Sequence, residues 1–263
     1  MEVVILPDRA AAGELVGGTI AELVAKHPRS VLGLATGSTP LVVYRELARR
    51  HEAGELSLAR ARAFLLDEYI GLPSDDPQAY RAFIARELEA HVDFGPGAVR
   101  GPDVRVGAGE LAAACDRYEQ AIRDAGGVDV QLLGIGSDAH IGFNEPGSSL
   151  ASRTRIKTLT AQTRHDNARF FDGDVDAVPW HVVTQGIGTI LEARHLVLLA
   201  FGSEKAEAVA SAVEGPVTAM VPASALQLHP HATVVVDEAA ATAFRLGSYY
   251  RETWAHKPDW QGI

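Results

Sequence analysis

Residues 128–150, VDVQLLGIGSDAHIGFNEPGSSL, decide the fold. A largely apolar run, VDVQLLGI, stops at Gly134 and Gly136 and gives way at once to Asp138, His140 and Glu145. Strands without polar alternation are those buried on both faces, as in a parallel sheet. Glycine then marks the hand-over to a loop. Short β-branched runs of the same kind recur at 3–6 (VVIL), 30–35 (SVLGLA), 61–66 (ARAFLL), 195–201 (HLVLLAF) and 232–237 (ATVVVD). Amphipathic stretches separate them, including 10–27 (AAAGELVGGTIAELVAKH), 39–54 (TPLVVYRELARRHEAG), 79–92 (AYRAFIARELEAHV) and 204–215 (EKAEAVASAVEG). This βαβ rhythm predicts an α/β fold: an open, mostly parallel Rossmann-like sheet with helices on both faces. In such sheets the ligand sits beyond the carboxyl ends of the strands, where Asp138, His140 and Glu145 fall. Residues 160–194 are the least regular part, and read either as a mobile flap or as a long surface connection.

Composition bounds the rest. A chain of 263 residues with 47% hydrophobic content can bury a full core and suits a single domain over 1–263. The net charge of -10, with Lys and Arg scattered, argues against nucleic acid or an acidic membrane surface as partner. An anionic ligand must therefore find a local positive pocket. The single cysteine, Cys115, excludes an internal disulfide and a multi-cysteine metal site; within ELAAACDRYEQAI it reads as a small buried helix residue. No apolar stretch approaches the roughly 20 residues of a membrane span. The start, MEVVILPDRAAAGEL, lacks the basic onset and long apolar core of a signal peptide, so the expected location is cytoplasmic.

Three segments carry chemistry. In VLGLATGSTPLVVYREL (31–47) a strand ends at Ala35, Thr36, Gly37, Ser38 and Thr39 form a small polar turn, and Pro40 opens a helix. Backbone N–H groups, hydroxyls and a helix N-terminus make an anion cradle of such a turn, although most such turns are only caps. It is neither a Walker loop nor a dinucleotide fingerprint. In FLLDEYIGLP (64–73) a strand ends in Asp67 and Glu68, of which one can cap the next helix while the other is solvated, or a carboxylate can face the crevice. In the loop after 135, a histidine between two carboxylates can have its tautomer fixed by one and its charged form stabilised by the other, which suits proton transfer near neutrality. A metal site there would lack a second histidine at ligand spacing, so we expect none.

VLGLATGSTP, FLLDEYIGLP, GIGSDAHIGFNEPGSSLASRTRIKTLT, ARFFD, FGSEKA, SAVEGPV and LQLHPHATVVVDE cover nearly the whole chain. In that order the sequence resembles the glucosamine-6-phosphate deaminase (glucosamine-6-phosphate isomerase) family. Ser137 and Ala139 depart from the Asn and Gly common there, and neither replaces a proton-handling side chain. The resemblance implies a cofactor-free enzyme of amino-sugar catabolism that isomerises and deaminates glucosamine 6-phosphate to fructose 6-phosphate and ammonia. It implies that His140, held by Asp138 and Glu145, opens the sugar ring, and that Asp67 moves the C2 proton to C1. Thr36, Gly37, Ser38 and Thr39 would hold the phosphate with Arg169 and Lys205, under a lid within 160–194 that carries Arg169. Lys205 also has its own argument, since HLVLLAFGSEKAEAV is a second strand, Gly-Ser turn and helix start.

In allosteric members of that family, N-acetylglucosamine 6-phosphate activates a hexamer by binding between subunits. The matching positions are Ser148, Arg155, Lys157, Thr158 and Tyr249, with Tyr250 a substitute in a divergent tail. Other members are monomeric and unregulated, and RTRIK also reads as a solvated basic strand or turn. Two rival functions remain. A 6-phosphogluconolactonase would share the Gly-rich turn and the Gly-Asp-His loop without the FNEP and RTRIK run. A non-catalytic sugar-phosphate sensor would keep the cradle but not Asp67, Asp138, His140 and Glu145 together.

Overall fold

The computed structural model describes residues 1–73, 75–258 and 260–263. In chain order the elements are β1 (Glu2–Leu6), α1 (Arg9–Lys26), β2 (Val31–Leu34), α2 (Leu41–Glu52), β3 (Arg62–Leu65), β4 (Asp67–Tyr69), α3 (Tyr80–Glu87), β5 (Val99–Arg100) and α4 (Leu111–Asp124). There follow β6 (Val130–Leu133), β7 (Arg155–Thr158), α5 (Ala161–Asn167), β8 (His181–Thr184), α6 (Ile187–Ile190), β9 (His195–Ala200), α7 (Ala206–Glu214), β10 (Ala232–Asp237) and α8 (Gly247–Ala255).

Among the described residues, seven strands form one sheet in the order β1-β10-β9-β6-β2-β3-β5, every pair parallel. The expected α/β architecture is therefore the observed one. From β1 the chain steps through β2 and β3 to β5, then returns through β6 and β9 to β10. Right-handed crossovers place α1, α2 and α3 on one face, and the reversal places α4 and α7 on the other. The direction changes between β2 and β6, which are neighbours. That is the switch point at which α/β sheets bind ligands. The core is the Val- and Leu-rich interior of these strands with the inner stripes of the helices, including Val4, Leu32, Leu65, Val197, Val235, Val16 and Leu47, all buried. Among the described residues, no helix is long and apolar enough to cross a membrane.

A second sheet, β4-β8-β7, is antiparallel and was not legible in the sequence. Its strands are three or four residues long. Leu66 joins it to the main sheet: its N–H donates to the Leu34 carbonyl (3.1 Å) and its own carbonyl accepts from the Gln185 N–H (2.8 Å). Asp67 and Glu68 thus lie in a strand of the small sheet, one residue beyond the end of β3, rather than in a loop. Residues 160–194, read as irregular, hold α5, β8 and α6. Cys115 is buried with Leu111 and Val183, between α4 and β8, as its helical setting predicted.

At the opposite, amino-terminal end of the strands, the buried His195 ring stacks on His231 with centroids 3.7 Å apart and donates to or accepts from Thr233 Oγ1 at 2.9 Å. Burial, followed by the charges of His231, His229 and Lys257, pulls His195 down to about 4. A histidine depressed in the native state stabilises the fold above its unfolded value, near 6.5, and loses that contribution as pH falls toward 4. The expected loss over that window is on the order of 3 kcal/mol. Urea unfolding at pH 7 and at pH 4.5 checks this: His195→Gln should flatten the pH dependence, and an unchanged slope would remove His195 as its source.

Candidate active site

A cavity of about 510 Å³ opens at the switch point and gathers most of the site residues expected from sequence. Thr36, Gly37, Ser38 and Thr39 line it from the end of β2, Asp67 from β4, His140 from the loop after β6, Lys205 from the turn after β9, and Arg169 from the segment after α5. In the cradle, Gly37 takes φ +87°, a left-handed conformation natural to glycine. Pro40 caps α2. Among the described residues, the N–H groups of Gly37, Ser38 and Thr39 make no internal hydrogen bond, so they are available to an anion at a helix N-terminus. Burial, then the Arg169 charge across the same cavity, pulls the Lys205 ammonium below its usual range.

Asp67 is 5% exposed, and among the described residues no hydrogen bond reaches its carboxylate. Burial, then repulsion from Glu68, raises its pKa well above the ordinary carboxylate value. Its neighbour differs entirely. Glu68 accepts from the N–H groups of Tyr69 (2.9 Å), Tyr80 (2.8 Å) and Arg81 (2.8 Å), and so caps α3, whose own N-cap, Ala79, has no side chain to do so. One acid is indeed a cap, and the other faces the cavity instead of solvent.

His140 Nδ1 lies 2.6 Å from Asp138 Oδ1, which also accepts from the His140 backbone N–H at 3.1 Å. Burial pushes the Asp138 carboxyl up, but the hydrogen bond from His140 and its charge outweigh it and hold the group below the usual range. Gly136 makes room for this ring, since a Cβ there would stand 2.3 Å from the imidazole. Ala139, one of the two departures from the resemblance, sits at φ +64°, a conformation that glycine adopts more readily.

The expectation that Glu145 also holds His140 has no direct contact behind it: among the described residues, no hydrogen bond or ion pair joins them. Glu145 is buried, and its Oε1 accepts from the Thr160 N–H (3.1 Å) and from the Thr160 and Thr163 hydroxyls at the start of α5. A tight turn at Ile141–Asn144, pinned where Asn144 Nδ2 donates to the Ile141 and Gln185 carbonyls (2.9 and 2.8 Å), lies between the two residues in the chain.

Sequence reasoning missed Arg9, which lines the cavity at the start of α1 and lies over the Phe201 ring at 5.5 Å. It follows β1 at the same carboxyl end of the sheet, so the strand-end rule could have found it. It also missed the aromatic wall of Tyr69, Tyr80, Phe143 and Phe171, in which Asn167 of α5 donates to the Tyr69 hydroxyl at 2.9 Å.

Of the five regulatory positions expected by resemblance, Arg155, Lys157 and Thr158 lie on β7, Ser148 in the loop before it and Tyr249 on α8. Arg155 and Lys157 share one face of β7, while Thr158 lies on its opposite, exposed face. Ser148 is buried, and Tyr249 is 58% exposed on α8, which packs on β1.

Residues 9–236 match the sequence profile of the glucosamine-6-phosphate isomerases/6-phosphogluconolactonase family. The chain is 64% identical to the glucosamine-6-phosphate deaminase of Beutenbergia cavernae and 62% identical to that of Mycolicibacterium smegmatis, over 263 residues and 100% of each chain. A solved monomeric glucosamine-6-phosphate deaminase superposes with a TM-score of 0.89 at 42% identity, covering 92% of this chain and 100% of that one. The 6-phosphogluconolactonase of Thermotoga maritima, at 21% identity and a TM-score of 0.71 over 90% of this chain and 98% of that one, shares the fold.

Proposed function

The chain belongs to the glucosamine-6-phosphate isomerase/6-phosphogluconolactonase family, and from that premise we propose that it is an enzyme converting glucosamine 6-phosphate and water to fructose 6-phosphate and ammonia. One observation carries the reading: a desolvated carboxylate, Asp67, shares a cavity with an Asp138-oriented histidine and with Lys205 and Arg169. The cradle at Thr36–Thr39 and the two cations hold the substrate phosphate. Asp138 takes the Nδ1–H of His140, leaving Nε2 to pass a proton between the anomeric hydroxyl and the ring oxygen. Opening the ring yields an aldehyde whose C2–H is acidic. The substrate's ammonium, entering beside Asp67, favours its ionised form, and the carboxylate carries the C2 proton to C1. Water then hydrolyses the imine. Glu145 is a positioning residue, coupling the His140 loop to α5, and residues 160–194 are the lid that brings Arg169 over the phosphate. The C1 carbonyl of the opened sugar takes up the electron pair released at C2, so the step calls for no cofactor.

Incubation with glucosamine 6-phosphate in EDTA, without cofactor, should release ammonia and fructose 6-phosphate in equal amounts. Binding without ammonia would favour the sensor, and faster hydrolysis of 6-phosphogluconolactone would favour the lactonase.

The finer reading is a cytoplasmic hexamer activated by N-acetylglucosamine 6-phosphate. Arg155 supports it, because its Nη1 donates to Asn144 Oδ1 at 2.9 Å, one residue from Glu145. An anion drawn to Arg155 and Lys157 would pull on that bond and bias the loop. Ser148, Thr158 and Tyr249 complete the site across a subunit boundary. Initial rates should be sigmoidal in substrate and become hyperbolic with the acetylated sugar phosphate. Hyperbolic kinetics indifferent to that ligand would leave the enzyme unregulated, as a monomer would be.

A further inference from the structure

A second concavity, of about 710 Å³, lies at the β3–β5 margin of the main sheet, away from the candidate active site. Arg62 and Phe64 are two apart on β3 and therefore share a sheet face. Arg100 is the register partner of Phe64, so it stands on that face as well. Helix α4 packs there through Tyr118, whose ring meets Phe64 edge-on at 5.7 Å and whose hydroxyl donates to the Leu65 carbonyl at 2.7 Å. With Tyr118 buried, the next stripe of α4, at Arg117, Gln120 and Asp124, forms the opposite wall of the groove. Arg60 closes one end from the loop before β3.

Four arginines, Arg60, Arg62, Arg100 and Arg117, thus line one hollow in a chain whose net charge is -10. Exposed arginines elsewhere on the surface, such as Arg49, Arg86, Arg153, Arg194 and Arg251, sit beside carboxylates. Among the described residues, none of the four in the groove has an ion-pair partner, and none of their side chains makes a hydrogen bond within the chain. The nearby Asp124 accepts from Gln120 Nε2 at 2.6 Å instead. Unpaired like charges around a hollow repel one another and relieve that repulsion by binding an anion. Planar guanidinium forks match phosphate oxygens in pairs. A concave volume in the range of small-molecule sites suits a compact ligand better than a flat protein surface.

We infer that this groove binds a compact polyphosphate anion, either a free diphosphate or the polyphosphate tail of a nucleotide. Its small apolar wall, with Ala61 and Ala121, and the Gln120–Asp124 pair give a nucleoside something to rest on and to hydrogen-bond.

Calorimetric titration with pyrophosphate and, separately, with ATP in EDTA at low ionic strength tests this on the full chain. Two double variants separate the groove from the active-site cavity. Arg62→Ala/Arg117→Ala should weaken binding by about tenfold or more while leaving deaminase turnover without added anion unchanged. Arg169→Ala/Lys205→Ala should leave the groove affinity within about twofold. Tighter binding of ATP than of pyrophosphate would assign the nucleotide, and equal binding the phosphate chain alone. Because the groove arginines are exposed, their removal should not lower the melting temperature of the ligand-free protein, whereas pyrophosphate should raise that of the wild type more than that of Arg62→Ala/Arg117→Ala. Equal binding by wild type and Arg62→Ala/Arg117→Ala would overturn the site. So would a change of oligomeric state in that variant with no anion dependence, since the groove would then be an interface between copies.

Discussion

Replacing Asp67 by Asn is expected to abolish turnover and, at alkaline pH, to make the protein more stable. The catalytic half follows from the role proposed for the carboxylate, the base that carries a proton between substrate carbons, since a positioned base contributes about 10²- to 10⁴-fold. Asn keeps the shape and removes the base. Substrate affinity, resting on the cradle, Arg169 and Lys205, should change little, so the loss falls on kcat rather than KM.

The stability half follows from burial. Asp67 has its pKa raised in the native state, first by desolvation and then by Glu68. Below the unfolded carboxylate value both states hold the proton and nothing is lost. As pH rises through the native value, the folded chain must carry a charge that its surroundings oppose, and stability falls. Asn cannot ionise, so the melting temperatures of the two proteins should coincide near pH 4 and separate in favour of the variant toward pH 8.5. For a domain of this size each kcal/mol is worth about 2–4 °C. A variant less stable than wild type at pH 8.5 would mean that Asp67 holds the fold together there. Retained turnover would mean that another group is the base.

The α/β sheet and most of the cavity were legible in the sequence because both depend on local pattern. Strand ends and glycine turns fixed where Thr36–Thr39, Asp67, His140 and Lys205 had to lie, and a parallel sheet brings its strand ends together whatever the intervening sequence. What was not legible depends on contacts between distant segments. The small sheet of β4, β7 and β8 pairs strands too short to show a period, and Arg155–Thr158 reads equally well as a solvated basic run. Glu145 could be seen as a carboxylate near a histidine, but its engagement with Thr160 and Thr163 depends on a turn pinned by Asn144 and Gln185. Arg9, directly after β1, was within reach of the strand-end rule, whereas the aromatic wall lacked a motif and became visible only when the end of β4 was placed beside the loop after β6.

Glu119 shows how far such hidden contacts matter, and Glu119→Ala is expected to be the most destabilising single change outside the apolar core. It lies on α4 in the run ELAAACDRYEQAI, read from sequence only as helical around Cys115, yet it is buried. Its Oε1 accepts from the Thr154 N–H at 2.8 Å and from the hydroxyls of Thr154 and Thr189, and its Oε2 accepts from Arg153. Burial alone would raise this carboxyl, but the hydrogen bonds from Thr154 and Thr189, then Arg153, outweigh it and hold the group below the usual range. It therefore stabilises the fold above the unfolded carboxylate value and ceases to do so as pH falls through the native one. Truncation strands a buried N–H, two hydroxyls and part of a guanidinium. Leaving these buried donors unpaired costs roughly 2–4 kcal/mol, the part-exposed Arg153 keeping Glu192 as its partner, or on the order of 10 °C in melting temperature. Thr154 precedes Arg155, which holds Asn144 in the catalytic loop, so kcat should also fall, though less than in Asp67→Asn. Glu119→Gln, which can still accept from both threonines, should recover a good part of both losses. Thermal melts and initial rates at pH 7.5 check the series. If Glu119→Ala melts within about 2 °C of wild type, the network does not hold α4 to the small sheet, and the Arg155–Asn144 bond must be supported from elsewhere.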